Sequence, residues 1–170
     1  MVNEILVSGG WPKSSKYHGQ IGEYVYKMVQ NAQHEILISC YYFRDNYLAE
    51  HIAIKAEDEL RIRIILGDYT ETRKVDGTLY RAANSKNNDF NLYCYDKRGR
   101  KEESLLHTKL IVTDSTYNYA RACVGSANLT PTAFNDSVEL SIGITGKTAM
   151  ELGEMFRKEL LKSTMIKDVK

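Results

Sequence analysis

Glu35-Ile36-Leu37-Ile38-Ser39-Cys40-Tyr41-Tyr42-Phe43 is a nearly continuous apolar run of strand length. Such a run suits a central strand covered on both faces. Its flanks say what covers it. Upstream, between Tyr17 and Ala32, the residues Ile21, Tyr24, Val25, Met28, Val29 and Ala32 recur at helical spacing. Downstream, Asn46 can cap a second helix carrying Leu48, Ala49, Ile52, Ala53 and Ala56. Arg61 to Leu66 reads as the next strand, ended by Gly67-Asp68. A weaker helix lies between Glu71 and Asn87, and Phe90 to Tyr95 is again a strand. Glu4 to Ser8 is a short strand ahead of all of these. Strands alternating with helices in this way signal βαβ units and a sheet with parallel pairs.

After Tyr95 the pattern changes. A polar loop leads to three strand candidates with little between them: His107 to Thr113, Tyr119 to Val124 and Val138 to Thr145. The first two are close enough to form an antiparallel hairpin. A last helix from Thr148 to Leu161 would bury Leu152, Met155, Phe156 and Leu160. The expected architecture is α/β, with a mixed, largely parallel β-sheet flanked by helices on both faces. At 170 residues, with no repeat and no Pro- or Ser-rich linker, one domain over residues 1–170 is expected.

With 43% hydrophobic and 26% charged residues the chain is too apolar to be disordered and too polar for a membrane protein. Its aliphatic stretches, such as Ile64-Ile65-Leu66, fall far short of the ~18 residues that span a bilayer. No basic segment followed by a long apolar one opens the sequence, so cytoplasmic residence without a membrane partner is expected. Cys40, Cys94 and Cys123 are odd in number and form no C-x-x-C pair, which points to reduced core thiols rather than disulfides or a zinc ribbon. Lys and Arg total 23 against 22 acidic residues, so any basic surface must be a local concentration.

The chemistry sits in His107-Thr108-Lys109-Leu110-Ile111-Val112-Thr113-Asp114, followed by Gly125-Ser126-Ala127-Asn128. Strand residues two apart share a face, so His107 and Lys109 project together while Thr108, Leu110 and Val112 face the opposite layer. A turn marked by Gly125 could return the Ser126 hydroxyl and the Asn128 amide to the same end of the sheet. An imidazole to react with phosphorus, an ammonium for its oxygen charge and two neutral donors suit one phosphate. Asp114 reads as a residue pinning its strand end by backbone hydrogen bonds, outside the chemical step.

This arrangement resembles the H-x-K-x4-D and G-S-x-N signature of the phospholipase D superfamily. The ten residues between Asp114 and Gly125 exceed that family's usual spacing, which implies a longer hairpin through Ser115, Thr116, Tyr117 and Asn118. The resemblance implies a phospholipase D-like fold and a phosphodiesterase with no cofactor and no metal. Glu139 stands where the family's small bacterial nucleases carry the acid that orients the catalytic histidine. The family's mechanism uses two histidines across one phosphorus, yet His18, His34 and His51 are followed two residues later by Gln20, Ile36 and Ala53. One chain therefore supplies half a site, and the resemblance implies a homodimer whose active site is shared. His107, Lys109, Ser126, Asn128 and Glu139 are the expected catalytic set.

Substrate choice must come from the rim. Lys97, Arg98, Arg100 and Lys101 precede the motif and are expected to contact nucleic-acid phosphates. No amphipathic element is left over for a bilayer, which puts a nuclease first, and the resemblance implies an endonuclease for DNA, or RNA, like the family's short single-motif members and the nuclease modules of restriction enzymes. The alternatives are a nucleic-acid-binding or assembly module without turnover, and a phospholipid phosphodiesterase. Gly146-Lys147-Thr148 ends like a Walker A loop, but Ser141 replaces its first glycine and too little chain follows.

Overall fold

The computed structural model describes residues 3–10, 12–16, 18–67, 77–83, 89–95, 106–163 and 166–169. Among the described residues eight strands form one sheet: β1 (Glu4–Ser8), β2 (Glu35–Cys40), β3 (Arg61–Leu66), β4 (Phe90–Tyr95), β5 (Leu110–Thr113), β6 (Arg121–Gly125), β7 (Glu139–Thr145) and β8 (Ile166–Asp168). Their order across the sheet is β1-β7-β6-β5-β2-β3-β4-β8. The helices are α1 (Gln20–Asn31), α2 (Asn46–Glu57), α3 (Gly77–Ala83), α4 (Pro131–Asn135) and α5 (Lys147–Met155), the last running into a π-helical segment, Phe156–Leu160.

All six residues of β2 are buried, as the opening run requires. Alternation along the strand divides the core in two. Ile36, Ile38 and Cys40 join Ile62, Ile64 and Leu66 under α1, α2, α3 and α4, where Val25, Val29, Leu48, Ile52, Leu79 and Phe134 pack. Leu37 and Ile65 turn to the other face, where Leu110, Val112 and Ala122 meet Ala149 of α5 and Phe156. The sheet is mixed and flanked by helices on both faces, as expected. Its proportions differ from the expectation. Only β2–β3 and β3–β4 are parallel. The other five pairings are antiparallel. The βαβ units end at β4: β5 enters the sheet antiparallel to β2, and its short connection to β6, residues 114–120, makes that pair a hairpin.

Local signals decide the ends of elements. Asp45, not Asn46, caps α2: its carboxylate accepts the Leu48 N–H at 2.8 Å and the Tyr26 hydroxyl at 2.9 Å. Thr130 caps α4 by accepting the Ala133 N–H at 3.2 Å, with Pro131 in the first turn. The strand expected from His107 begins at Leu110, and residues 106–109 approach it outside regular structure. Gly146, with φ of 70°, precedes α5 directly, so the helix begins at Lys147, one residue before the expected Thr148.

Candidate active site

Antiparallel pairing of β2, β5, β6 and β7 brings the end of β2, the approach to β5, the end of β6 and the start of β7 to one edge of the fold. The parallel strands β3 and β4 also finish there. Ligands of open α/β sheets bind at such carboxyl ends. His107, Lys109, Ser126, Asn128 and Glu139 all fall on this edge.

Thr108 and Lys109 turn to opposite sides of the sheet, as expected. The Thr108 hydroxyl bonds to that of Ser39, which is fully buried. Lys109 lies against the α1 side, lining a narrow apolar cavity of about 10 Å³ with Cys40, Ile111, Cys123, Leu129 and Phe134. Only 9% of Lys109 is exposed, and its Nζ donates to the His107 carbonyl at 3.2 Å. Burial pushes the ammonium below the ordinary lysine value, opposed by the fields of Cys40 and Glu139. His107 itself is exposed, and its ring has no hydrogen-bond partner among the described residues. A buried positive charge thus lies at the foot of an accessible imidazole.

Ser126 and Asn128 are held from different sides. The Ser126 hydroxyl donates to the Glu139 carboxylate and accepts the Leu140 N–H at 3.1 Å. Its own N–H donates to the Leu140 carbonyl at 3.0 Å, fixing the turn against β7. Asn128 Oδ1 accepts the Tyr42 N–H at 3.2 Å, which leaves the amide NH₂ for a substrate oxygen. The Leu129 N–H donates to the Tyr42 carbonyl at 3.1 Å, and Leu129 accepts the Arg44 N–H at 2.8 Å. The backbone after β2 is therefore part of the site, which side-chain motifs did not reveal.

Gly125 owes its identity to close approach rather than to a turn. It lies in β6 opposite Ser141, and a Cβ there would stand 2.3 Å from the Leu140 carbonyl oxygen and 2.5 Å from the Ser141 Cα. Without that approach β7 could not bring Glu139 to Ser126. Glu139 meets the serine and not the imidazole in this chain. Lys97, Arg98, Arg100 and Lys101 lie outside the described residues.

Asp114 sits at the opposite edge. Its carboxylate accepts the Gln33, His34 and Glu35 N–H groups at 3.1, 2.7 and 3.1 Å, pinning the start of β2. The longer hairpin is at that edge too, where Tyr117 stacks on His34 with ring centroids 4.2 Å apart. The extra residues leave the motif edge untouched.

The family described as "cardiolipin synthase, PLD-like domain" matches residues 25–160. The chain belongs to the phospholipase D superfamily. Solved structures share its fold at low sequence identity. Nuc from Salmonella typhimurium, a phospholipase D family member, is 17% identical with a TM-score of 0.70, and 99% of each chain is covered. NucT from Helicobacter pylori is 17% identical with a TM-score of 0.68, covering 94% of this chain and 95% of that one. The phosphatidylserine synthase of Haemophilus influenzae is 16% identical with a TM-score of 0.72 over 99% of this chain and 40% of that one. No curated protein sequence matches the chain. Among the described residues no helix is long and apolar enough to cross a membrane.

Proposed function

We propose that this phospholipase D superfamily protein is an endonuclease for DNA, or RNA, working by a metal-independent phosphohistidine mechanism at a site shared by two copies of the chain. The observation that carries the reading is the accessible His107 above the buried Lys109, with Ser126 and Asn128 on the facing turn. A binding module has no need of a free imidazole beside a desolvated cation. Near-complete overlap with Nuc favours the nuclease class, because the phosphatidylserine synthase is more than twice as long.

In this mechanism a His107 ring nitrogen attacks phosphorus and displaces the alkoxide, which takes a proton from the partner's His107. That second imidazole then removes a proton from water, whose oxygen attacks phosphorus and returns the His107 nitrogen. Lys109, Ser126 and the Asn128 amide stabilise the non-bridging oxygens as charge builds. Glu139 orients the site by accepting the Ser126 hydroxyl. Lys97, Arg98, Arg100 and Lys101 enter by the chain joining Tyr95 to Leu106 and contact flanking phosphates.

Cleavage of plasmid, single-stranded DNA and RNA in excess EDTA tests the reading, with His107→Ala in parallel. Wild-type cleavage should fall by about 10³-fold or more in the variant. Cleavage that survives His107→Ala, or that requires added metal, would sink it. The family description favours one second reading, a phospholipid phosphodiesterase, and phosphatidyl transfer in vesicles without nucleic-acid cleavage would replace the first by it.

A further inference from the structure

The edge opposite the motif holds an open groove of about 520 Å³. It lies where α1 ends, β2 begins and the β5–β6 hairpin turns, and Asn31, Gln33, Asn118, Tyr119 and Arg121 line its exposed rim. Buried Met28 and Thr113 form its floor. Its size falls within the range of small-molecule sites, about 300–1,000 Å³. Thr113 stands six positions after His107, which puts the groove about 20 Å from that imidazole.

A ladder of rings borders the groove. His34 stacks on Tyr117 with centroids 4.2 Å apart, and Tyr117 on Tyr119 at 5.3 Å, with interplanar angles of 21° and 20°. Tyr119 is the last ring, 45% exposed, and no described ring covers its second face. A planar heterocycle entering the groove extends the ladder by one step. The rim suits the edge of such a ring. The Tyr119 hydroxyl donates to Gln33 Oε1 at 3.5 Å, and the Asn31 amide donates to the Lys27 carbonyl at 2.8 Å. The Gln33 NH₂, Asn31 Oδ1 and both ends of the Asn118 amide remain, a mixture of donors and acceptors that matches a nucleobase edge. Charge selects what the base carries. Asp114 is the one carboxylate lining the groove among the described residues, and three backbone N–H groups already occupy it. Arg121 is exposed and has no ion-pair partner among the described residues. A neutral sugar leaves that guanidinium idle, whereas a phosphate ester uses it.

We propose that this groove binds a nucleotide, with its base stacked on Tyr119, the base edge on Asn31, Gln33 and Asn118, and its phosphate on Arg121. The site is separate from the motif edge and stands whether or not the chain is a nuclease. The nucleotide arrives either free or as one residue of a single strand, and experiment separates the two sources.

Equilibrium dialysis of the full chain against AMP, adenosine and ribose 5-phosphate tests the site. A single-stranded adenine DNA hexamer is the second arm, measured on His107→Ala protein so that no strand is consumed. AMP should bind about 10-fold more tightly than either fragment. Tyr119→Ala should weaken AMP by about 10-fold or more, and Tyr119→Phe by no more than a few-fold, because the phenyl ring keeps the stack. Arg121→Gln should weaken AMP and leave adenosine unchanged. A hexamer bound more tightly than AMP, with the same dependence on Tyr119, assigns the groove to a strand, and one bound no more tightly assigns it to the free nucleotide. AMP and hexamer binding that Tyr119→Ala leaves intact, in protein with wild-type circular dichroism, would overturn the proposal. Ribose 5-phosphate bound as tightly as AMP would overturn it as well, and so would the lack of saturable binding by AMP and hexamer alike.

Discussion

Lys109 shows how much the site asks of one residue. Its ammonium is held where only 9% of the side chain meets solvent, and burial lowers its affinity for a proton. The folded value lies below the unfolded one, so the charged form costs stability at neutral pH, and that cost is relieved as pH rises through the folded value. Lys109→Met should therefore unfold at a temperature no lower than the wild type while losing about 10³-fold in turnover, as thermal melts and kinetics on one preparation would reveal. The same shift sets the alkaline limb of kcat/KM below the ordinary lysine range. Lys109→Arg, permanently charged, should abolish that limb in whatever activity it retains. A limb that survives the arginine unchanged would assign it to another group. Only the spacing of His107 and Lys109 was legible in the sequence. The depth of Lys109 was not, because Cys40, Cys123 and Phe134 around it come from three other elements.

At the scale of elements, Asp114 ties β5 to the start of β2 through backbone donors, the strand-end role its sequence position led us to expect. It adopts a left-handed φ of 52° and gathers three backbone donors that β2 would otherwise leave open. Asp114→Ala should cost about 2–4 kcal/mol by chemical denaturation, with kcat/KM within a few-fold of wild type for the folded fraction. A selective loss of kcat at unchanged stability would instead put Asp114 in the chemical step. Elements with a strong period were readable: β1, β3 and β4 have the bounds that their apolar runs predict. Those held by distant partners were not. The three residues of β8 exist by pairing with β4. The π-helical segment sets Arg157 so that it donates to Glu35 at 2.8 Å, a contact across 122 positions that no local pattern encodes. Counting βαβ units overestimated the parallel pairs, since the strands after β4 join the sheet beside β2 and β4 in the opposite direction.

Across the whole molecule, the three thiols lie on three different strands of one sheet: Cys40 on β2, Cys94 on β4 and Cys123 on β6. All are buried and unbridged, as their number and spacing led us to expect. Burial pushes Cys40 and Cys123 up to about 12. A thiol raised in this way contributes stability in full below its unfolded value and loses it as pH climbs through the folded one. Two such groups should steepen alkaline unfolding above about pH 9, each by up to roughly 1.4 kcal/mol per pH unit. Because they sit on both sides of β5, no local fraying exposes both. Labelling by a small thiol reagent should therefore be slow, follow the global unfolding free energy in denaturant, and give Cys40 and Cys123 the same rate. The Cys40→Ala, Cys123→Ala double variant should flatten the stability profile above pH 9, measured by denaturant melts from pH 7 to 11. Rapid labelling of Cys123 alone would mean that the β6–β7 side opens independently of β2.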